Sequence, residues 1–149
     1  MTLPAANRVP LAISARVRDA IRTHAASSYP FECCGALLGS EGEGIEEALP
    51  FENAAPSDPE RRFLLSAADY RVAEARADAT GRALLGFYHS HPDHPAEPSD
   101  FDLAHAWPNM SYVILSVRDG LPGDMKSWRL DADRSRFAEE TLVPTALQG

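Results

Sequence analysis

The segment Ala83-Leu84-Leu85-Gly86-Phe87-Tyr88-His89 constrains this chain most, because an apolar run this dense and this short predicts a central, buried strand. It leads straight into a loop rich in Pro, Asp and His, so the residues able to do chemistry gather where the strand ends. His89 and His91 are two apart, and side chains two apart on a strand point to the same side. Both imidazoles can therefore face one metal ion, and Pro92 ends the strand directly after them.

The elements around this strand follow from spacing and punctuation. Ile13, Val17, Ala20, Ile21 and Ala25 recur at helical intervals, which predicts an amphipathic helix with Ser14 as its N-cap and Tyr29-Pro30 as its stop. Cys34 to Gly39 reads as a buried strand, Ser40 to Gly44 as a turn, and Ile45 to Phe51 as the returning strand of a hairpin. Asn53 to Glu60 predicts an exposed loop that leads to a short strand at Phe63-Leu64-Leu65. Ser66 to Asp69 resembles a capping box opening a second helix that Gly81 closes. Ser99 starts a short helix stopped by Pro108, and Tyr112 to Val117 pairs with Met125 to Leu130 across a turn at Asp119 to Gly123. From Asp131 the tail is polar and is expected to pack loosely. Helices interspersed with hairpins predict an α/β fold with a mixed sheet flanked by helices, in a single domain over residues 1–149.

Composition removes several function classes. Fourteen basic residues against 22 acidic ones give a net charge of −8 with no basic stripe, so no nucleic acid is expected as a ligand. Apolar runs such as Tyr112 to Leu115 are too short to span a bilayer, and no basic stretch followed by an apolar one opens the chain. A soluble, cytoplasmic protein is expected. Cys33 and Cys34 are adjacent and cannot form a spaced disulfide framework, which fits a reducing compartment. They lack the second pair that a structural zinc site needs and are expected as one buried residue beside a partly exposed one.

Asp102 lies ten residues beyond the His89-Ser90-His91-Pro92 tetrad, three after Ser99. If Ser99 caps the short helix, Asp102 falls in its first turn, and a loop of this length can fold that turn back over the two imidazoles. Two neutral imidazoles and one carboxylate suit Zn²⁺ and leave a fourth tetrahedral position open, as catalytic zinc requires. Zinc lowers the pKa of water to about 7, but a general base is still needed to move the proton to a leaving amine. Glu32, at the mouth of the buried strand that starts at Cys34, is the candidate, with partial desolvation expected to raise its pKa. Taken singly, Ser99 and Asp102 are also an ordinary capping box, and Glu32 is also a surface acid.

The combination of Glu32, His89-Ser90-His91-Pro92, Ser99 and Asp102 resembles the signature of the JAMM (MPN-plus) metalloproteases, a distant Glu followed by H-x-H-P and S-x-x-D. Pro30 to Gly39 is similar to that family's P-x-E-x-C-G-x-L-x-G, Gly86-Phe87-Tyr88 to its strand entering the first His, and Trp128 to an aromatic residue of a late strand. The resemblance spans about residues 13 to 130. It implies that His89, His91 and Asp102 bind zinc, that Glu32 is the acid–base residue, and that Ser99 donates a hydrogen bond to the oxyanion. It also implies an MPN/JAB1-like fold related to that of the cytidine deaminases. The connections are short, as in the stand-alone prokaryotic members, so the expected partner is a small ubiquitin-like sulfur-carrier protein with a Gly-Gly tail, cut after that tail.

Rival ligands are His94 and Asp93 in the same loop, and Asp100 and His105 on the short helix; the motif assigns them no role. His24 is expected as a surface or boundary residue. The competing reading is a non-catalytic MPN module that binds a ubiquitin-like partner or acts as a scaffold, and loss of a ligand, its usual mark, is not found here. A deaminase of related fold would need a P-C-x-x-C zinc motif, which the chain lacks.

Overall fold

The computed structural model describes residues 10–51 and 65–145. The loop expected at Asn53 to Glu60 and most of the strand expected at Phe63 to Leu65 lie outside them; Leu65 itself is not in a strand. The elements in order are β1 (Leu11–Ile13), α1 (Ala15–Ser28), β2 (Cys34–Ser40), β3 (Gly44–Phe51), α2 (Ala67–Thr80), β4 (Ala83–Pro92), α3 (Asp100–His105), β5 (Ser111–Arg118), β6 (Leu121–Leu130), β7 (Phe137–Glu140) and β8 (Leu142–Pro144).

The strands form one mixed sheet in the order β7-β6-β5-β4-β2-β3-β1-β8. The apolar strand β4 lies within it, antiparallel to β2 and parallel to β5. Alternation along the strands divides the core into two layers. Val17, Ile21 and Ala25 of α1 pack on one face with Leu37, Tyr88, Val113, Leu115 and Val117. On the other face Ala73 and Ala77 of α2 and Ala106 after α3 pack with Ala36, Leu38, Phe87 and Tyr112. Gly35 is required where β2 passes Tyr88, because a Cβ there would collide with that ring and with the Leu49 carbonyl.

The helix caps follow the sequence. The Ser14 side chain accepts from the Val17 N–H, the Ser66 capping box is complete, and Gly81 closes α2 at φ 70°. Four expectations need correction. Ile13 belongs to β1, parallel to β3, instead of the helix that its spacing suggested. The β5–β6 turn is only Asp119-Gly120, both at positive φ (52° and 82°), so the strands pair from Leu121 onward. An Asp-Gly pair of this kind matches the twist of a two-residue hairpin. Cys33 and Cys34 are both buried, with no partly exposed partner. The tail after Asp131 is built into the sheet: β7 pairs with β6 and β8 with β1.

That last correction shapes the molecule. β7 and β8 occupy opposite edges of the sheet, yet only Thr141 separates them in sequence. The sheet therefore curls enough to bring the end of β7 beside the start of β8, and the Leu11 N–H donates to the Thr141 carbonyl at 2.8 Å where β8 joins β1. No helix among the described residues is long and apolar enough to cross a membrane.

Candidate metal centre

Strand pairing sets the position of the two histidines. Cys34 of β2 lies opposite His89, and Ser90 is tied to the residue before the strand by two bonds: its N–H donates to the Cys33 carbonyl (3.0 Å), and its Oγ accepts from the Cys33 N–H (2.9 Å). These bonds carry the chain of Phe31 to Cys33 alongside the His-Ser-His segment and bring Glu32 to the same end of the sheet. The two imidazole rings have centroids 4.8 Å apart, with their Nε2 atoms separated by 3.0 Å.

Asp102 arrives from α3. Ser99 and Asp102 form a reciprocal capping box, in which the Ser99 N–H donates to Asp102 Oδ2 at 2.8 Å and the Asp102 N–H donates to Ser99 Oγ at 3.1 Å. The box fixes the carboxylate over the imidazoles: Oδ1 is 3.3 Å from His89 Nε2 and Oδ2 is 3.2 Å from His91 Nε2. Burial favours the neutral acid, but the neighbouring His89, the contacts with both imidazoles and the hydrogen bond from the Ser99 N–H outweigh it. The Asp102 carboxyl is thereby held well below the usual carboxylate range.

The loop between β4 and α3 is pinned along its length. The Asp93 N–H donates to the Val117 carbonyl (2.6 Å), and the Asp93 carboxylate accepts from Tyr29 Oη (2.7 Å) and the Asp119 N–H (2.9 Å). Ser116 Oγ donates to the His94 carbonyl (2.7 Å), and Trp128 Nε1 donates to the Ala96 carbonyl (3.0 Å). Between these anchors the Pro95 carbonyl accepts from His91 Nδ1 at 2.9 Å. A carbonyl cannot donate, so the proton of a neutral His91 sits on Nδ1 and its Nε2 lone pair faces the other two side chains.

The donor set passes the test for a metal ion. A lone pair of His91, the carboxylate of Asp102 and Nε2 of His89 converge, with one ligand atom from each within 4.8 Å of the others. Such a cluster of acceptors needs positive charge at its centre, supplied by a proton or by a cation. Nitrogen and oxygen ligands about 2.0–2.2 Å from a tetrahedral metal ion stand about 3.4 Å apart, close to the 3.0 Å between the imidazole nitrogens and the 3.2 and 3.3 Å from them to the carboxylate. His89, His91 and Asp102 could therefore hold one.

Beside the three lies a cleft of about 350 Å³ lined by Glu32, His91, His94, Glu97, Ser99 and Asp102, among others. Glu32 is buried at its wall, only 7% exposed, whereas Ser99 is exposed. Ser99 Oγ accepts the helix N–H, which leaves its hydroxyl proton for another partner. The rivals stand elsewhere. His105 donates from Nδ1 to the Phe101 carbonyl and stacks on that ring, Asp93 is an anchor, and Asp100 is exposed at the helix surface. His24 is a boundary residue whose Nδ1 lies 2.8 Å from Tyr88 Oη. The anchoring by Asp93, Ser116 and the Pro95 carbonyl was missed from sequence. Its one local sign is the aspartate directly after His-Pro, a residue type that tolerates the positive φ (58°) found there.

The profile of prokaryotic homologs of the JAB domain matches residues 14–131. This chain belongs to that family. Among curated relatives of this JAB-domain chain, the tail tip assembly protein K of Escherichia phage N15 is 32% identical over 115 residues, 70% of the chain but only 44% of the phage protein. The chain thus spans less than half the length of that relative. The desampylase of Haloferax volcanii is 34% identical over 112 residues, covering 71% of this chain and 80% of that one. The CysO-cysteine peptidase of Mycobacterium tuberculosis is 35% identical over 122 residues, covering 80% and 82%. A solution structure from Desulfitobacterium hafniense superposes with a TM-score of 0.78 at 26% identity, covering 93% of this chain and 94% of that one. A JAB1/MPN domain protein from Archaeoglobus fulgidus shares the fold, with a TM-score of 0.59 at 19% identity over 91% and 100% of the two chains. The expected α/β class, a mixed sheet flanked by helices, is the JAB fold found here.

Proposed function

We propose that the chain is a zinc-dependent peptidase that hydrolyses the amide bond after the C-terminal Gly-Gly of a small ubiquitin-like sulfur-carrier protein. The observation that carries this reading is the convergence of His89, His91 and Asp102 beside a cleft walled by the buried Glu32 carboxylate. His89 Nε2, His91 Nε2 and an Asp102 oxygen would hold the zinc ion. When bound, zinc supplies Lewis acidity, which polarises a carbonyl and lowers the pKa of water.

The other tasks fall to the protein. Glu32 takes the proton of the attacking water and gives it to the departing amine, as a general base and then an acid. Ser99 donates its hydroxyl proton to the developing oxyanion, the acceptor side of that oxygen being already engaged by the α3 N-terminus. The Pro95 carbonyl keeps the His91 proton on Nδ1. Glycines on the acyl side of the bond suit such a cleft, because a backbone without Cβ atoms can approach the ligands closely. The substrate class rests on the JAB-family membership and on the similarity to a desampylase and a CysO-cysteine peptidase.

Intact-mass analysis tests the proposal. A Gly-Gly sulfur carrier from the source organism, extended by one cysteine, is incubated with zinc-loaded protein and with the Glu32→Gln variant. The parent should release the cysteine, and Glu32→Gln, folded and zinc-loaded, should be slower by about a hundredfold or more. Tight carrier binding without release by the parent would favour a scaffold instead.

A further inference from the structure

A second cavity, much smaller than the catalytic cleft, opens beside the same three side chains. It measures about 50 Å³, and Phe101 and Asp102 line both spaces, so α3 forms the partition between them. His89 and Asp102 stand at the edge of the small cavity. Its other walls are mainly apolar: Leu65, Phe87, Ala106, Trp107 and Tyr112. Three of these belong to one packed aromatic cluster, in which Phe87 lies 5.7 Å from Trp107 and 5.9 Å from Tyr112 between ring centroids. Tyr70 stacks behind at 4.9 Å from Trp107, so the floor has little freedom to yield.

We propose that this cavity is the site for the side chain of the residue released from the carrier, and that it selects small uncharged side chains such as those of alanine, cysteine and valine. The inference rests on the peptidase reading above. Under that reading the residue before the cut is glycine, which has no side chain to fill a pocket. A side-chain pocket adjoining the ligands therefore serves the residue after the cut. Its size sets an upper limit: about 15 Å³ of such space accommodates one water-sized group, so about three heavy atoms fit. Its lining sets the polarity: apart from His89, Asp102 and His105 the walls are mainly apolar or aromatic, so a charged side chain would lose most of its hydration there. Hydrolysis then yields the carrier carboxylate, ending in Gly-Gly, and the free amino acid, with water adding across the amide.

Carriers extended after Gly-Gly by one residue (Gly, Ala, Cys, Val, Leu, Asp or Trp) are compared by kcat/KM using intact mass, with the zinc-loaded parent and Leu65→Ala. The parent should cut the Ala, Cys and Val extensions about tenfold faster than the Gly, Asp and Trp extensions. Leu65→Ala, which enlarges the cavity and leaves the ligands and Glu32 in place, should improve the Leu extension relative to Ala by about tenfold. Equal rates across the series, or a Leu65→Ala profile identical to the parent's, would overturn the pocket assignment while leaving the peptidase intact. If no extension at all is cut, the peptidase reading itself fails.

Discussion

Asp93 shows how a residue outside the motif can fix the motif's geometry. Its carboxylate joins Tyr29 and the Asp119 N–H, so a single side chain ties the His-Pro loop to the end of α1 and to the β5–β6 turn. The hydrogen bonds from the Asp119 N–H and the Tyr29 hydroxyl hold its carboxyl below the usual carboxylate range. A depressed folded-state pKa adds stability above the unfolded value, near 3.9, and that stability is lost as pH falls through the folded value. Asp93→Asn should therefore lower Tm at pH 7, and the gap to the parent should close as the buffer is taken down through the acid range below the unfolded value. A gap that stays constant with pH would mean that the carboxylate charge is not what anchors the loop. The cysteines are the reverse case. Burial pushes the Cys33 thiol up to about 11 and that of Cys34 well above its ordinary range, so neither offers a thiolate to compete with Glu32.

At the scale of elements, α3 does two jobs with one turn. Ser99 caps the helix, and the cap places the Asp102 carboxylate against the imidazoles. The jobs can be separated. Ser99→Ala should lose about 1 kcal/mol of stability with the cap and about a hundredfold in kcat/KM with the oxyanion donor. Ser99→Asp restores a good N-cap but has no hydroxyl proton, so it should regain stability and remain slow. Recovery of both together would leave Ser99 a capping residue only. Ser99 and Asp102 were legible in the sequence because a capping box is local, and His89 and His91 because a strand's two-residue period is local. The neighbouring elements were not. β1 and β8 have three residues each and β7 has four, too few to display a period. Ile13 satisfies helical spacing with Val17, and only its pairing with Ile45 and Pro144, far along the chain, makes it strand. Glu140 makes β7 look like solvated tail, yet it is buried and accepts a 2.8 Å hydrogen bond from Ser127.

For the whole molecule, the unforeseen strands complete both edges of the sheet that holds the site. A chain ending at Arg136 would leave β6 and β1 as unpaired edges. It should unfold at a lower denaturant midpoint than the full chain and associate at its exposed edges; an unchanged midpoint would show that the two edge strands contribute nothing. The sheet gathers Glu32 ahead of β2, the histidines of β4 and the cap of α3 at one end, which local sequence could not place together. The central claim is that three of these side chains hold one metal ion and that Glu32 stands apart as the base. Zinc per chain, determined by elemental analysis after exhaustive dialysis, tests it most directly on the parent and the Glu32→Gln, His105→Ala and Asp102→Ala variants. The first three should each retain about one zinc and Asp102→Ala almost none. A full zinc in Asp102→Ala, or its loss from His105→Ala or Glu32→Gln, would contradict it.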